Sequence, residues 1–175
     1  MLTINIICVG KIKEKFFSDA IAEYSKRLSK YCKFEIIEVA DEKLPAKINN
    51  SIISEIKYKE SQKIIQKIKK DSFVIALDLT GKELSSVDFS KEIEKIALNY
   101  NSQITFIIGG TLGLTDEILK LSNDKLCFSK MTFPHQLIRV FLVEQLFRAF
   151  KISNNETYHW WKIYVGSQKE ILYKF

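Results

Sequence analysis

Apolar residues along the chain occur either in short continuous runs or at helical spacing. The runs are rich in β-branched residues and are bounded by glycine or polar residues, as is typical of buried strands. We therefore predict five strands, the third stopped by Gly81 and the fourth ended by Gly109 and Gly110. They cover residues 3–9, 34–39, 72–79, 104–108 and 125–128.

Stretches with apolar residues at helical spacing separate these runs and predict five helices. The alternation of strands and helices predicts an α/β fold with a parallel sheet covered by helices on both faces. No repeat or linker divides the chain, so we expect one domain. The helices are predicted at 14–30, at 51–70, from residue 86 through residue 97, at 115–121, and from Pro134 to about Ile152. In the second helix Ile64, Ile65 and Ile68 face inward. In the third helix Ser86 is the predicted cap, and the inner face consists of Phe89, Ile93, Ile96 and Ala97.

The last of these helices is apolar around most of its circumference, with apolar residues at 137, 138, 140–143, 146, 147, 149, 150 and 152. Such a helix needs two buried faces. The sheet can cover one face and a second subunit the other, so the pattern predicts a homodimer. The alternative is a helix that lies wholly inside one subunit.

Composition narrows the class of protein only slightly. The 175 residues include 46% apolar residues, enough for a core, and the net charge of +6 is compatible with a polyanionic partner.

No apolar run approaches about 18 residues and no signal peptide follows Met1, so a cytoplasmic protein is expected. With His135 and His159 as the two histidines, no metal site is expected. The three cysteines, which we expect to be buried free thiols, are Cys8, Cys32 and Cys127.

Ligands of parallel α/β sheets bind beyond the carboxyl ends of the strands. Three such segments stand out, at 77–82, 108–114 and 128–135. The glycines of the second segment match neither a dinucleotide-binding nor a phosphate-cradling motif, and a tight turn is the alternative explanation. The third segment mixes polar residues with Met131 and Phe133, so its backbone could bind an adenine edge. It could equally be a loop that packs its own aromatic residues.

Four segments of this sequence resemble signatures of the RlmH family, which belongs to the SPOUT class of methyltransferases. They read VGKIKEK at 9–15, IGG at 108–110, FSKMTFPHQ at 128–136 and VEQLFRAFKI at 143–152. The similarity extends from residue 1 to about residue 159. We therefore predict a single SPOUT methyltransferase domain at 1–159 and an atypical C-terminal extension at 160–175.

The resemblance implies a SPOUT fold with a C-terminal trefoil knot and a homodimer. It implies S-adenosyl-L-methionine as the methyl donor and N3 of a pseudouridine in 23S rRNA, presented by the assembled ribosome, as the acceptor. The cofactor-binding residues that it implies are Leu77, Gly109, Phe128, Ser129, Lys130, Met131, Thr132 and Phe133.

The resemblance also implies four candidate catalytic residues. Arg148 could stabilise the anion of the acceptor base or hold a phosphate, and the alternative is an ion pair with Glu144 one turn earlier. His135 could orient the substrate or help to cap the last helix. Tyr158 and His159 match a Tyr-His pair of the family, and could stack on the base or relay a proton. Lys11, Lys13 and Lys15 are candidates for contacts with RNA phosphates.

This sequence departs from the family at its C-terminal end. Asn154 and Asn155 stand where the family has arginine and glycine, and an aromatic-rich tail follows His159. The loss of the arginine removes an RNA contact, whereas asparagine tolerates the left-handed backbone that glycine adopts. Two alternatives to the methyltransferase of 23S rRNA therefore stay open. One is a non-catalytic relative that binds RNA or the ribosome, and the other is a SPOUT methyltransferase that acts on another RNA such as tRNA.

Overall fold

A computed structural model describes residues 1–100 and 102–157. Within these residues five strands alternate with five helices, as the hydrophobic pattern predicts. The elements are β1 Thr3–Val9, α1 Lys15–Leu28, β2 Lys33–Val39, α2 Asn50–Ile65, β3 Phe73–Glu83, α3 Ser86–Asn99, β4 Gln103–Ile108, α4 Asp116–Leu121, β5 Asp124–Cys127 and α5 His135–Ser153.

The strands form one sheet in the order β2-β1-β4-β3-β5, and every neighbouring pair is parallel. Along β1, Ile6 aligns with Ile36 of β2 on one side and with Phe106 of β4 on the other. The parallel sheet predicted from the sequence is therefore confirmed. All carboxyl ends of its strands meet at one edge, which is where a ligand of such a sheet binds.

Two apolar cores cover the two faces of the sheet, because successive side chains of a strand point to opposite faces. On one face Ile6 and Phe106 contact buried residues of α1, α3 and α5. On the other face Ile7 and Ile107 lie with Ile64 of α2 and Ile118 of α4. The prediction of helices on both faces is confirmed, and so is the burial of all three cysteines as free thiols.

The predicted stop of the third strand at Gly81 is wrong. β3 continues to Glu83 and pairs with β5 in two registers, which shift between Leu77 and Lys82. A Cβ atom at Gly81 would lie 2.7 Å from backbone atoms of Lys125 and Leu126. A glycine inside a strand marks such a close approach of two backbones as often as it marks an end.

Two helix boundaries also differ from the prediction. α2 ends at Ile65 rather than at residue 70, and the chain turns before β3 through Asp71, whose φ is 61°. The cap of α3 is Ser85 rather than Ser86, since the Ser85 hydroxyl accepts a hydrogen bond from Asp88 N at 3.1 Å. The hydroxyl of Ser86 instead donates to Gln145 Oε1 of α5 at 2.8 Å.

α5 lies on the sheet between α1 and α3. These neighbours cover much of its apolar circumference within one subunit, burying Leu142, Val143 and Leu146. Phe141 keeps 38% of its surface exposed, so the outer face of α5 is not fully covered. The homodimer and the knot stay predictions. In the part of the chain that the structure describes, no helix is both long and apolar enough to span a membrane.

Candidate cofactor-binding site

A cavity of about 580 Å³ opens at the carboxyl ends of β3, β4 and β5. Its volume lies in the range of small-molecule sites, about 300–1,000 Å³. Apolar side chains form most of its wall, including Leu77, Ile108, Leu114 and Leu126. The three segments singled out in the sequence at 77–82, 108–114 and 128–135 all contribute to the lining. The topology therefore brings together residues that are about 50 positions apart in the sequence.

The glycine turn after β4 supplies backbone rather than side chains to this cavity. Gly113 N donates to Gly110 O at 3.0 Å, and Gly113 has a φ of 76°, which favours glycine. A Cβ atom at Gly109 would lie 3.0 Å from Gly113 C, and one at Gly110 would lie 3.0 Å from Glu60 Oε2. A side chain at either position would therefore require its neighbours to shift, and both Gly109 and Gly110 line the cavity.

The loop between β5 and α5 forms the opposite wall. Met131 N donates to Ser129 Oγ at 3.0 Å, which folds the loop on itself. The Lys130 ammonium donates to Leu79 O at 3.0 Å and thereby ties the loop to β3. The ring of Phe133 meets that of Phe141 edge-on, with centroids 5.5 Å apart. The loop thus adds the apolar side chains of Met131 and Phe133 to the lining of the cavity, and such a lining suits a flat heteroaromatic ring.

Seven of the eight predicted cofactor-binding residues line the cavity, and Lys130 lies outside its lining. The structure thus brings the predicted residues to one place, and the set fits an adenine-containing cofactor. Their roles in binding stay predictions. The seven are Leu77, Gly109, Phe128, Ser129, Met131, Thr132 and Phe133.

His135 is the candidate catalytic residue that lies at this cavity. It is the first residue of α5 and is half-buried. Burial lowers its pKa, the positive charges of Arg139 and Lys13 lower it further, and Asp41 opposes them. The imidazole is therefore mostly neutral at neutral pH, and a neutral imidazole can accept a proton or a hydrogen bond.

Arg148 does not line the cavity. Its Nε atom donates to Glu144 Oε1 at 2.9 Å, so the ion pair expected as the alternative is present. Glu144 lines a second cavity of about 300 Å³, which shares Phe128 and Phe133 with the first. The carboxylate that binds the guanidinium therefore lines the neighbouring cavity and not the cofactor cavity. Its role in catalysis stays a prediction.

The C-terminal candidates Tyr158 and His159 lie outside the described residues, as does the predicted extension at 160–175. The described chain ends just after the two asparagines that replace the family's arginine and glycine. Asn155 has a φ of 53°, so it adopts the left-handed backbone expected at this position.

Arg139 was not recognised in the sequence as a functional or structural residue. Its side chain is fully buried, and its Nη2 atom donates to Val9 O at 2.6 Å and to Gly10 O at 2.8 Å. Its Nη1 atom lies 3.0 Å from Glu38 Oε1. The sequence feature that could have indicated its burial is its position on the apolar face of α5, one turn before the buried Leu142 and Val143.

Glu60 was also missed. It lies on the buried stripe of α2 between Ile56 and Ile64 and is 6% exposed. Its Oε1 atom accepts a hydrogen bond from Glu42 N at 3.0 Å. Burial raises the pKa of this carboxyl. Because Gly110 has no side chain, the other carboxylate oxygen can lie against the glycine turn.

A sequence profile of the family described as "Predicted SPOUT methyltransferase" matches residues 2–159. The chain is 56% identical over 158 residues to the ribosomal RNA large subunit methyltransferase H 1 of Clostridium perfringens strain SM101. It is 58% identical to the ribosomal RNA large subunit methyltransferase H of Clostridium botulinum strain Kyoto and 54% identical to that of Clostridium tetani strain Massachusetts. Each alignment covers 90% of this chain and 99% of the relative. With this sequence likeness and the parallel sheet described above, the chain belongs to the SPOUT methyltransferases and, within them, to the ribosomal RNA large subunit methyltransferase H family.

Proposed function

We propose that this protein transfers a methyl group from S-adenosyl-L-methionine to N3 of a pseudouridine in 23S rRNA on assembled ribosomes. The observation that carries the proposal is the cavity at the carboxyl ends of β3, β4 and β5. Its wall joins the glycine turn at Gly109 to the loop that carries Met131 and Phe133. The family of the chain supplies the reaction class and the acceptor RNA. The proposed site of action is the cytoplasm, where assembled ribosomes are found.

The chemistry fits the apolar cavity. The bound cofactor supplies a methyl group that its sulfonium already activates, so the main tasks of the protein are alignment and exclusion of water. Leu77, Leu126 and Phe128 provide apolar surface around the site, and the glycine turn provides backbone hydrogen-bonding groups. Apolar walls with a few polar groups hold a cofactor in one orientation without a metal.

The acceptor nitrogen loses a proton during the transfer. His135 lines the cavity, and in this proposal its neutral imidazole accepts this proton or a hydrogen bond from the base. In this proposal Arg148, whose guanidinium is bonded to Glu144, stabilises the anion that forms on the base. We also propose that Lys130 and its neighbours in the loop contact the cofactor. Tyr158 and His159 are proposed to act in the same site, where they stack on the base or relay a proton.

We further propose that the active protein is a homodimer. The apolar residues Leu137, Val140 and Phe141 share one side of α5 and stay partly exposed in the single chain. A second copy would bury this surface. Closed dimers of identical subunits are the commonest soluble oligomers.

The proposal is tested by incubation with labelled cofactor and three separate acceptors: ribosomes that lack the modification, their deproteinised RNA, and tRNA. We expect label in the 23S rRNA of intact ribosomes. Label in tRNA instead would favour the alternative methyltransferase and contradict our acceptor.

Calorimetry with S-adenosyl-L-methionine distinguishes the enzyme from a non-catalytic RNA-binding relative. We expect binding by the native protein and its loss in Leu77→Trp, because the indole would fill the cavity. Leu98→Trp is the matched control, since Leu98 is 80% exposed on α3. Ribosome binding without any heat of cofactor binding would identify the non-catalytic relative.

A further inference from the structure

The loop that follows β1 is fastened to the start of α5. The buried Arg139 guanidinium donates to the carbonyls of Val9 and Gly10, and Gln136 Oε1 accepts a hydrogen bond from Lys13 N at 3.0 Å. These contacts join residues more than 120 positions apart. α5 follows directly on the loop that lines the cavity, so the segment Gly10–Lys13 is held at a fixed place relative to the cofactor site.

Glu38 at the end of β2 completes this attachment. Its Oε1 atom accepts from Ile12 N at 3.0 Å and from Arg139 Nη1 at 3.0 Å. One carboxylate therefore binds both the loop and the arginine that holds the loop. A buried arginine is costly unless its hydrogen bonds are satisfied. The two Nη atoms of Arg139 make three bonds to this small region, whereas its Nε atom has no partner among the described residues. Such a network fixes one conformation of the segment.

The fastened segment carries two exposed lysines, Lys11 and Lys13. Across residues 1–100 and 102–157, neither ammonium group makes an ion pair, whereas Lys15 pairs with Asp19 at 2.6 Å. Only the backbone of Lys13 is used for attachment. The two charged groups are thus available to a ligand although their backbone is fixed.

The segment also borders the cavity. A Cβ atom at Gly10 would lie 3.8 Å from Nε2 of His135, and His135 lines the cavity. Gly10 has a φ of 82°, so the chain turns here without a side chain between β1 and the imidazole. Lys13, three residues further on, is close enough to His135 for its charge to lower the pKa of the imidazole.

We propose that Arg139, Glu38 and Gln136 are positioning residues that hold Lys11 and Lys13 as preset contacts for backbone phosphates of the substrate RNA. The inference rests on the proposed function, since it takes RNA as the partner. A phosphate contact from a fixed backbone loses less conformational entropy on binding than one from a free loop. The phosphates would fix the register of the RNA, and the cavity would then receive the target base.

A double-mutant cycle tests this inference. One change is Lys11→Gln with Lys13→Gln, which removes the charges. The other is Gln136→Ala, which removes the hydrogen bond to Lys13 N and leaves the buried Arg139 in place. The measurements are the KM for unmodified ribosomes at saturating cofactor and, independently, the Kd for ribosomes without cofactor. Both are taken over a range of salt concentrations, together with the Kd of the cofactor and the thermal midpoint.

In the native background, the lysine changes should raise both ribosome constants about tenfold and reduce the salt slope by slightly less than one per lysine. In the Gln136→Ala background the same changes should raise them clearly less than in the native background, because the Lys13 backbone has lost its hydrogen bond to α5. The cofactor Kd should stay unchanged in all four proteins. Equal effects of the lysine changes in the two backgrounds would overturn the inference.

Matched controls separate positioning from folding. Lys67→Gln with Lys70→Gln removes two exposed charges from the turn that precedes β3, and Gln62→Ala removes a surface amide that bonds Glu117 at 3.2 Å. Neither should alter the ribosome constants. Glu38→Gln should act like Gln136→Ala, whereas Glu35→Gln, which alters an exposed pair with Lys69 at 3.4 Å, should not. A loss of thermal stability in Gln136→Ala with a proportionate loss of cofactor binding would mean a merely structural role.

The two readouts distinguish failure of the inference from failure of the proposed function. Ribosome binding that shows the coupling without methyl transfer would refute the proposed function and leave the inference standing. Methyl transfer with additive changes would refute the inference alone. Absence of both ribosome binding and methyl transfer would refute both.

Discussion

The Nη2 atom of Arg139 lies 2.6 Å from the carbonyl oxygen of Val9. This bond joins the first turns of α5 to the carboxyl end of β1 across 130 positions of sequence. Because the arginine is fully buried, the carbonyl groups that it satisfies have no access to water in the described structure. The contact fixes the orientation of the helix that follows the cofactor loop.

Replacement of Arg139 by methionine should strongly destabilise the protein. The apolar side chain fills most of the space but leaves the carbonyls of Val9 and Gly10 and the Glu38 carboxylate without this donor. Leaving a buried carbonyl group without its hydrogen-bond donor costs about 1–3 kcal/mol, and two such groups lose theirs here. Urea unfolding measures the change. The control is Lys59→Ala, which breaks an exposed pair with Glu55 at 2.6 Å and should change the stability little.

Gly81→Ala should destabilise the β3–β5 pairing, because its Cβ atom would lie 2.7 Å from the backbone of β5. The loop that follows β5 lines the cavity, so cofactor affinity should fall as well. Gly113→Ala provides the comparison, since a Cβ atom there has open space and meets only the strain of a φ of 76°, about 1 kcal/mol. Chemical unfolding and cofactor calorimetry on both variants give the result. A smaller loss in Gly81→Ala than in Gly113→Ala would contradict the close approach.

Glu60→Gln should stabilise the protein at neutral pH and lose this advantage in acid. Burial raises the pKa of Glu60 above its ordinary value of 4.5, Asp41 raises it further and Lys63 opposes. The folded state therefore binds more protons than the unfolded state between the two pKa values, and the stability from this group falls as pH rises through that window. Glutamine keeps an acceptor for Glu42 N without a charge.

Urea unfolding of native protein and Glu60→Gln from pH 4 to pH 8 checks this expectation. The difference in unfolding free energy should grow as pH rises and vanish below about pH 4.5. A difference that does not vary with pH would show that the charge of Glu60 costs nothing in the folded state.

Phe141→Glu should convert the proposed homodimer to a monomer. The phenyl ring is 38% exposed on the outer side of α5 and contacts Phe133 edge-on. A charge there would be buried without a partner in the dimer. Sedimentation velocity at micromolar concentration measures the mass, with Leu98→Glu on α3 as the control. A native protein that sediments as a monomer would refute the dimer.

The sequence predicts most of the fold because the strands are continuous apolar runs and the helices are amphipathic. The runs at 3–9 and 104–108 agree with β1 and β4 to within one residue. The end of the third strand was predicted wrongly at Gly81, because glycine occurs both at strand ends and where two backbones approach closely. The segments of the candidate site were found because the carboxyl ends of parallel strands share one edge.

Arg139 and Glu60 could not be assigned from the pattern in the same way. Both are charged residues in buried stripes, and their partners, Val9 with Gly10 and the turn at Gly110, are distant in sequence. Sequence spacing shows which face a side chain occupies but not which distant carbonyl it meets. For the same reason the sequence could not decide between a catalytic role of Arg148 and an ion pair with Glu144. Local spacing predicted the ion pair, which the structure contains.

The central claim is tested most directly by mass spectrometry of 23S rRNA nucleosides after incubation of unmodified ribosomes with protein and cofactor. We expect one N3-methylpseudouridine per ribosome, and none on ribosomes whose pseudouridine has been replaced by uridine. A methyl group on any other nucleoside of the RNA, or no methyl group on ribosomes that the protein binds, would contradict it.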